Sequence, residues 1–198
     1  MIRLGEPYIT PNDDVVVILR DECPFSPRED GTCESTFVIE ASRYKSPDEN
    51  PFGTMKDLVD TVCKEKSKYV WDYVSRHEHG NVIYSRGKSL GWDSCVCGVI
   101  FISKEDVRKL YQVKKISQKV LKRVYDRFDS ELEEYTNYVN GDVYGYRLYS
   151  LDGELIDDCW GFYEEPEGCL DYLGFKESDL EEAEEIAVRT FKKKEKLL

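Results

Sequence analysis

The sequence predicts an α+β domain in which a mostly antiparallel sheet carries helices on one face. Short aromatic or β-branched runs, bounded by Gly, Pro, Asn and Asp, recur along the 198 residues and are typical of strands. Other segments repeat apolar residues at spacings of three and four, as amphipathic helices do. The chain contains no internal repeat and no long linker, so we expect residues 1–198 to form a single domain.

Composition narrows the class of protein. A hydrophobic content of 40% with 13% aromatic residues favours a folded globule over disorder. The net charge of -12 argues against direct binding to nucleic acid or to an anionic membrane. The chain has no apolar run long enough to span a membrane and no secretory signal pattern at its start. The seven irregularly spaced cysteines are typical of a reduced protein, so we expect the cytoplasm of a host cell.

The first part of the chain predicts two strands and a helix. Val15–Leu19 is a short continuous apolar run, which predicts a strand buried on both faces, and Thr36–Ile39 predicts a second strand. Thr54 is a candidate cap for a helix that ends near Lys66. One face of this helix carries the apolar residues Met55, Leu58, Val59 and Val62.

The next part predicts an antiparallel meander of three strands, Tyr69–Val74, Asn81–Ser85 and Val99–Ile102. The segment Arg76–Gly80 is expected to form the turn between the first two strands. Ser103, with Asp106 three residues later, then predicts the capped start of a short helix.

A long helix is predicted from about Ser117 to Asn140, and Gly141 is its expected stop. The pattern that predicts it is a single apolar stripe of Val120, Leu121, Val124, Phe128, Leu132, Tyr135 and Val139.

An aromatic-rich hairpin follows, from Gly141 to Glu164, with Asp152-Gly153 as its tight turn. We expect this hairpin to be central to the fold, with Trp160 and Phe162 in the core. A last helix is predicted from Ser178, with Glu181 completing a capping box. Its inward residues would be Leu180, Ala183, Ala187 and Phe191.

Three segments carry recognisable motifs: Trp92-Asp93-Ser94 with Gly98, GDVYGY at 141–146, and DCWGFY at 158–163. They resemble the WDSGxxG, GDVYGY and DSCWGFYG motifs of an uncharacterised family of small proteins encoded widely by bacteriophages and plasmids. The resemblance covers roughly residues 36–165 and implies an origin on a mobile element without implying a reaction. Cys95 and Cys97 stand where that family usually has Gly and an aliphatic residue.

Charge is unevenly distributed along the chain. Residues 126–185 contain 20 acidic and three basic residues, whereas residues 104–123 contain eight basic and two acidic ones. Carboxylates on neighbouring helix turns, or on alternate strand residues, have a spacing close to that of phosphates along one nucleic-acid strand. The acidic half is therefore a candidate imitation of a phosphate backbone, although an ordinary solvated surface has the same composition.

The candidate partner-binding residues are carboxylates of this acidic half together with three tyrosines that could anchor a complex. They are Glu131, Glu133, Glu134, Tyr135, Tyr138, Asp157, Asp158, Tyr163, Glu164 and Glu165.

A second arrangement could support catalysis. His77, Glu78 and His79, with Asp93 nearby in sequence, offer an acid, a base and an orienting carboxylate. No phosphate-binding loop, nucleophile elbow or HExxH pattern accompanies them. Cys95-x-Cys97 and His77-x-His79 contain metal ligands but lack the paired spacing of structural zinc sites. We therefore predict no metal, no cofactor and no catalytic residue.

These observations favour a binding protein over an enzyme. We expect a phage- or plasmid-type inhibitor that occupies the basic nucleic-acid channel of a host defence enzyme, with a CRISPR effector as the leading candidate. The alternative is a small metal-dependent or hydrolytic enzyme that acts on nucleotides, with His77, His79 and Asp93 in its site.

Overall fold

The computed structural model describes residues 2–29, 31, 33–40, 45–65, 67–89 and 91–182. They form an α+β fold with antiparallel strands, as the sequence predicts, but the strands build two sheets and not one. In chain order the elements are β1 (Pro7–Ile9), β2 (Val15–Arg20), β3 (Thr36–Ile39), α1 (Met55–Lys64), β4 (Tyr69–His79), β5 (Asn81–Arg86), β6 (Ser94–Ser103), α2 (Lys104–Leu110), α3 (Gln118–Asn140), β7 (Tyr144–Tyr149), β8 (Leu155–Phe162), α4 (Glu167–Leu173) and β9 (Glu181–Glu182).

The chain divides into two compact units. Unit 1 consists of residues 1–25 and 141–198, and unit 2 consists of residues 26–140. The expectation that residues 1–198 form one domain stays a prediction.

Unit 1 is built on a sheet with the strand order β8-β7-β2-β1-β9. Val16 and Ile18 of β2 pack with Tyr146 on one face, while Val15 and Val17 pack on the other. Such burial on both faces is what a continuous apolar run predicts, and the prediction for Val15–Leu19 is confirmed.

The predicted hairpin is present as β7 and β8. Gly153 has a φ of 80°, which a glycine adopts without strain, and its N–H donates to the Ser150 carbonyl across the turn. Of the two strands, β7 lies inside the sheet and β8 forms one edge of the sheet that the described residues build. The hairpin is therefore at the side of unit 1 and not at its centre.

The helix predicted from Ser178 is wrong where the chain is described. Residues Glu177–Asp179 form a 3₁₀ turn, and Glu181–Glu182 form β9, which pairs with Tyr8 and Ile9 of β1. Pairing with a neighbouring strand satisfies the same backbone groups that a helix would satisfy, so local helix propensity does not decide the outcome. Three expected inward residues, Ala183, Ala187 and Phe191, lie outside the described residues.

Unit 2 is built on a sheet with the strand order β3-β6-β4-β5. Because β4 pairs with both β5 and β6, the three predicted strands are present but do not follow one another as a meander. Helix α3 packs on one face of the sheet, and α1 covers the other through Leu58 and Val62. Helices on both faces replace the predicted one-sided arrangement.

Strand β4 is longer than predicted. The segment Arg76–His79, expected as a turn, continues the strand because neighbours are available on both sides. His77, for example, pairs with Ile83 of β5 and with Ser94 of β6. The turn is reduced to Gly80, whose φ is 85°.

Both helix caps predicted in unit 2 are confirmed. The Thr54 Oγ1 accepts a hydrogen bond of 3.2 Å from the Asp57 N–H, and the Ser103 Oγ accepts one of 3.0 Å from the Asp106 N–H. Helix α3 also has its predicted stripe, since Val124, Phe128 and Leu132 are buried against the sheet.

Gly98 marks the closest approach of strands in unit 2. A Cβ at this position would lie 2.2 Å from the Val38 carbonyl oxygen and 2.9 Å from the Ile39 Cα. These are backbone atoms, so they cannot move aside as a flexible side chain would. We therefore expect Gly98→Ala to lower the free energy of unfolding by about 1–3 kcal/mol or more, as overpacking does.

Urea unfolding followed by circular dichroism measures this loss. Gly91→Ala is the matched control, because the nearest neighbour of a Cβ there is the Ser94 Oγ at 3.4 Å. A stability equal to wild type for Gly98→Ala would show that β3 does not pack against β6 this closely.

Candidate functional site

The ten predicted partner-binding residues divide between the two units. Glu131, Glu133, Glu134, Tyr135 and Tyr138 lie on α3 in unit 2. Asp157 and Asp158 lie on β8, and Tyr163, Glu164 and Glu165 follow that strand, all in unit 1. The two groups differ sharply in how much of them reaches solvent.

Glu131 is not a surface residue, which corrects the sequence prediction. Only 4% of it is exposed, and its Oε2 lies 2.8 Å from the Arg28 Nη1. Its position was readable in the sequence, because it follows Phe128 by three residues and precedes Tyr135 by four. That spacing places Glu131 on the buried stripe of α3 and not beside it.

The carboxylate of Glu131 is fully engaged by unit 2. It accepts hydrogen bonds from the Glu34 N–H at 3.1 Å, from the Ser35 hydroxyl, and from the Arg127 Nε at 3.1 Å. The guanidinium of Arg28 also bonds both carboxylate oxygens of Asp48. We call Arg28, Glu131 and Asp48 the buried charge cluster.

Burial raises the pKa of the Glu131 carboxyl, but hydrogen bonds from Ser35 and Arg28 outweigh that effect. The pKa of Glu131 therefore lies below its ordinary value. For Arg28, burial lowers the pKa of the guanidinium, and the hydrogen bond and charge of Asp48 reverse this and raise it. Both groups are held in their charged forms.

Tyr135 is also buried, at 7% exposed, and this too corrects the prediction of an exposed anchor. Its ring packs edge-on against Phe37, 5.6 Å between centroids, and burial raises the pKa of its hydroxyl to about 12. Tyr138 is half-buried against Tyr135. Of the acids, Glu133 is exposed and Glu134 is half-buried. Helix α3 therefore exposes few of the residues that were predicted to contact a partner.

In unit 1 the predicted acids are at the surface. Asp157 and Asp158 are both exposed, and as consecutive strand residues they project from opposite faces of the sheet. Asp157 accepts a hydrogen bond of 2.7 Å from the Tyr146 hydroxyl, and Asp158 accepts one of 3.0 Å from the Trp160 indole nitrogen. Burial, followed by the bond to Asp157, raises the pKa of Tyr146 well above its usual range.

Trp160 was expected in the core and is 36% exposed. Its ring lies over Gly145, where a Cβ would come within 2.3 Å of the indole Cε3. The Arg147 guanidinium lies 5.6 Å from the ring centroid. The absent side chain at Gly145 therefore leaves room for the indole against β7, and part of Trp160 remains in solvent.

Two of the residues that follow β8 are also acidic and exposed. Glu164 and Glu165 are exposed, while Tyr163 is half-buried and donates its hydroxyl to the Phe25 carbonyl at 2.7 Å. We call Asp157, Asp158, Trp160, Glu164 and Glu165 the acidic edge.

The residues of the alternative enzyme site lie on β4 and at the start of β6. The His77 Nδ1 lies 3.2 Å from the Ser94 Oγ, and the His79 Nδ1 lies 3.5 Å from the Asp93 Oδ2. Each histidine has its own partner, so among the contacts of the described residues no chain of nucleophile, base and orienting carboxylate runs through one imidazole.

No set of metal ligands is present in the part of the chain that the structure describes. No group of three or more His, Cys, Asp and Glu side chains there could hold a metal ion. Cys95 is exposed, whereas Cys97 is half-buried, and burial raises the pKa of the Cys97 thiol to about 11.

Comparison of the chain with protein-family models, curated proteins and solved structures finds no match. The resemblance to mobile-element proteins stays a prediction. Among the described helices, none combines the length and the apolar character needed to cross a membrane.

The buried charge cluster yields a stability prediction. Glu131→Gln keeps the shape of the side chain but removes the charge that faces Arg28, so we expect a loss of about 3 kcal/mol in unfolding free energy at neutral pH. Glu133→Gln, an exposed position on the same helix, is the control and should change stability by less than about 0.5 kcal/mol.

The pH dependence of this loss of stability shows whether the charge of Glu131 causes it. Because the folded pKa of Glu131 is depressed, its stabilisation is present above the unfolded value near 4.5 and is lost as pH falls through the folded value. The gap between wild type and Glu131→Gln should therefore persist from neutral pH down to about 5 and narrow in more acidic solution. A gap that stays constant in acid would rule out the carboxylate charge as the source.

Proposed function

We propose that this protein is an acidic binding protein whose acidic edge occupies the basic nucleic-acid channel of a host defence enzyme, with a CRISPR effector as the leading candidate. The observation that carries the proposal is the acidic edge itself. The exposed carboxylates of Asp157 and Asp158 and the partly exposed Trp160 lie on the edge strand of unit 1, and the exposed Glu164 and Glu165 follow that strand in the chain.

The charge of the chain supports a basic partner. With a net charge of -12, the protein repels polyanions and attracts surfaces rich in Lys and Arg. Such attraction mainly raises the association rate and rejects wrong partners, while affinity needs desolvated anchors as well. Channels that hold nucleic acid present the required basic surface.

The anchor is supplied by β8. Trp160 is partly exposed, and the neighbouring Leu155 and Ile156 are each 53% exposed. Tryptophan is among the residues most often dominant in binding energy at interfaces. A strand at the edge of a sheet also offers backbone groups that a partner segment can pair with.

The resemblance of the GDVYGY and DCWGFY segments to mobile-element proteins is a second support. Gly145 of the first segment and Trp160 of the second are in direct contact, so the two motifs build one feature of the acidic edge. Mobile elements benefit when they inhibit host enzymes that bind nucleic acid through basic side chains. Glu131 and Tyr135, which are buried, are no longer part of the proposed contact surface.

The alternative is a small hydrolytic enzyme that acts on nucleotides. The observation in its favour is the His77–Ser94 contact of 3.2 Å, in which the imidazole could accept a hydroxyl proton. Exchange of His77 for Ala separates the two functions, because a hydrolase loses activity and an inhibitor keeps its inhibition.

The central test reverses two carboxylates of the acidic edge. We expect Glu164→Lys with Glu165→Lys to weaken inhibition of DNA cleavage by a guide-RNA-loaded CRISPR effector about tenfold or more, since two favourable charges become repulsive. The assay titrates the protein against a panel of purified effectors at low and moderate salt, and inhibition by the wild type should weaken as salt rises.

The matched control is Glu40→Lys with Glu49→Lys, which makes the same change of charge at exposed positions of unit 2. Equal effects of the two double reversals would attribute binding to net charge and not to the acidic edge. Absence of inhibition across the panel would contradict the assignment of the target.

A further prediction concerns the anchor. Because Trp160 is partly exposed, Trp160→Ala should cost less than the 3–5 kcal/mol typical of a buried aromatic residue and should leave a folded protein. Inhibition should nevertheless fall by about 2 kcal/mol or more in binding free energy. Thermal unfolding and the cleavage assay measure the two effects. A folded variant with full inhibition would remove Trp160 from the interface.

A further inference from the structure

A cleft of about 670 Å³ lies in unit 2, beside the first half of β4. It exists because β5 pairs with β4 only from Val74 onward. The stretch Tyr69–Tyr73 therefore has β6 on one side and the cleft on the other. The remaining walls come from α2, from the segment that joins α2 to α3, and from the first turns of α3.

Of the residues that the structure describes, four basic side chains line this cleft: Lys104 and Arg108 on α2, and Lys114 and Lys115 on the connecting segment. Arg108, Lys114 and Lys115 are exposed, and none of the three has a carboxylate partner among the residues that the structure describes.

Asp72, the one carboxylate among the described lining residues, does not offset this charge. Asp72 is paired with Arg86, whose Nη1 lies 3.0 Å from the Asp72 Oδ2. The neighbouring acids of α2, Glu105 and Asp106, are in turn paired with Lys109, which is not part of the lining. The cleft therefore has a strong local excess of positive charge in a chain whose net charge is -12.

Apart from Ser67, the rest of the described lining is aliphatic or aromatic. Val70 is buried in the wall, and Ile116, Leu121 and Tyr125 are half-buried around the same cavity. The Arg86 guanidinium lies 4.7 Å from the Tyr125 ring centroid and supports that ring. An apolar wall next to convergent cations suits a ligand with a flat hydrophobic part and an anionic part.

We propose that this cleft binds a nucleoside phosphate, with the base against Tyr125, Leu121 and Ile116 and the phosphates among Lys114, Lys115 and Arg108. A cavity of this volume lies within the range of small-ligand sites. A long nucleic acid would meet the repulsion of the whole acidic chain, whereas a single nucleotide is governed by the nearby cations.

This site is independent of the proposed inhibition. All of its lining residues belong to unit 2, and the acidic edge belongs to unit 1. Loss of nucleotide binding and loss of inhibition can therefore be measured on different variants.

The test is isothermal titration calorimetry of the full chain with ATP. We expect saturable binding that Lys114→Ala with Lys115→Ala weakens about tenfold or more, because charge-assisted phosphate contacts are lost. The matched control, Lys119→Ala with Lys122→Ala, removes the same charge from exposed positions of α3 outside the cleft and should leave the affinity unchanged. Hydrogen exchange should slow with ATP in residues 114–125.

Separate titrations with adenosine and with pyrophosphate test the two halves of the ligand. Each should bind about tenfold or more weakly than ATP, since each makes only part of the contacts. Pyrophosphate binding as tight as that of ATP would reduce the cleft to an anion site and overturn the nucleotide assignment. No binding of ATP, GTP, CTP or UTP, or equal losses in both double variants, would overturn the proposal.

Discussion

The buried ion pair between Arg28 and Glu131 is the constraint on which unit 2 depends. The Arg28 side chain is 2% exposed, and it joins three separate parts of the chain: its own loop, the segment around Asp48, and helix α3. Removal of either partner would leave the other charge buried with one counter-ion fewer, since Arg28 keeps Asp48 and Glu131 keeps Arg127, and this costs folding free energy. The pair therefore ties α3 to the loops at the end of the sheet, while the apolar stripe supplies the burial that holds the helix on it.

That constraint also separates structural charge from charge that is available for binding. Glu131 belongs to the acidic stretch in sequence, but its carboxylate is buried and paired inside unit 2. Glu164 and Glu165, in contrast, are exposed to solvent. A count of acids along the chain cannot make this distinction, because a buried carboxylate and a surface carboxylate contribute equally to it. The same reasoning applies to the basic cleft, whose cations are invisible in a net charge of -12.

Trp160 shows how one small residue changes the role of a large one. Because Gly145 has no side chain, the indole rests on the β7 backbone and bonds to Asp158 through its nitrogen. An aromatic residue in a strand pattern is usually interpreted as core. Here the position of β8 at the sheet edge leaves part of the ring in water, and a hydrophobic residue becomes available for a partner.

Local chemistry by itself determined much of this protein. The caps at Thr54 and Ser103, the turn at Gly153, the buried run of β2 and the stripe of α3 each depend on residues close in sequence, so their patterns were sufficient to predict them. Tertiary structure alone decided the rest. The order of β4, β5 and β6, the pairing of β9 with β1, the partner of Glu131 and the walls of the basic cleft all join residues far apart in the chain. The physical reason is that such contacts depend on which surfaces meet after folding, and no local pattern encodes that choice.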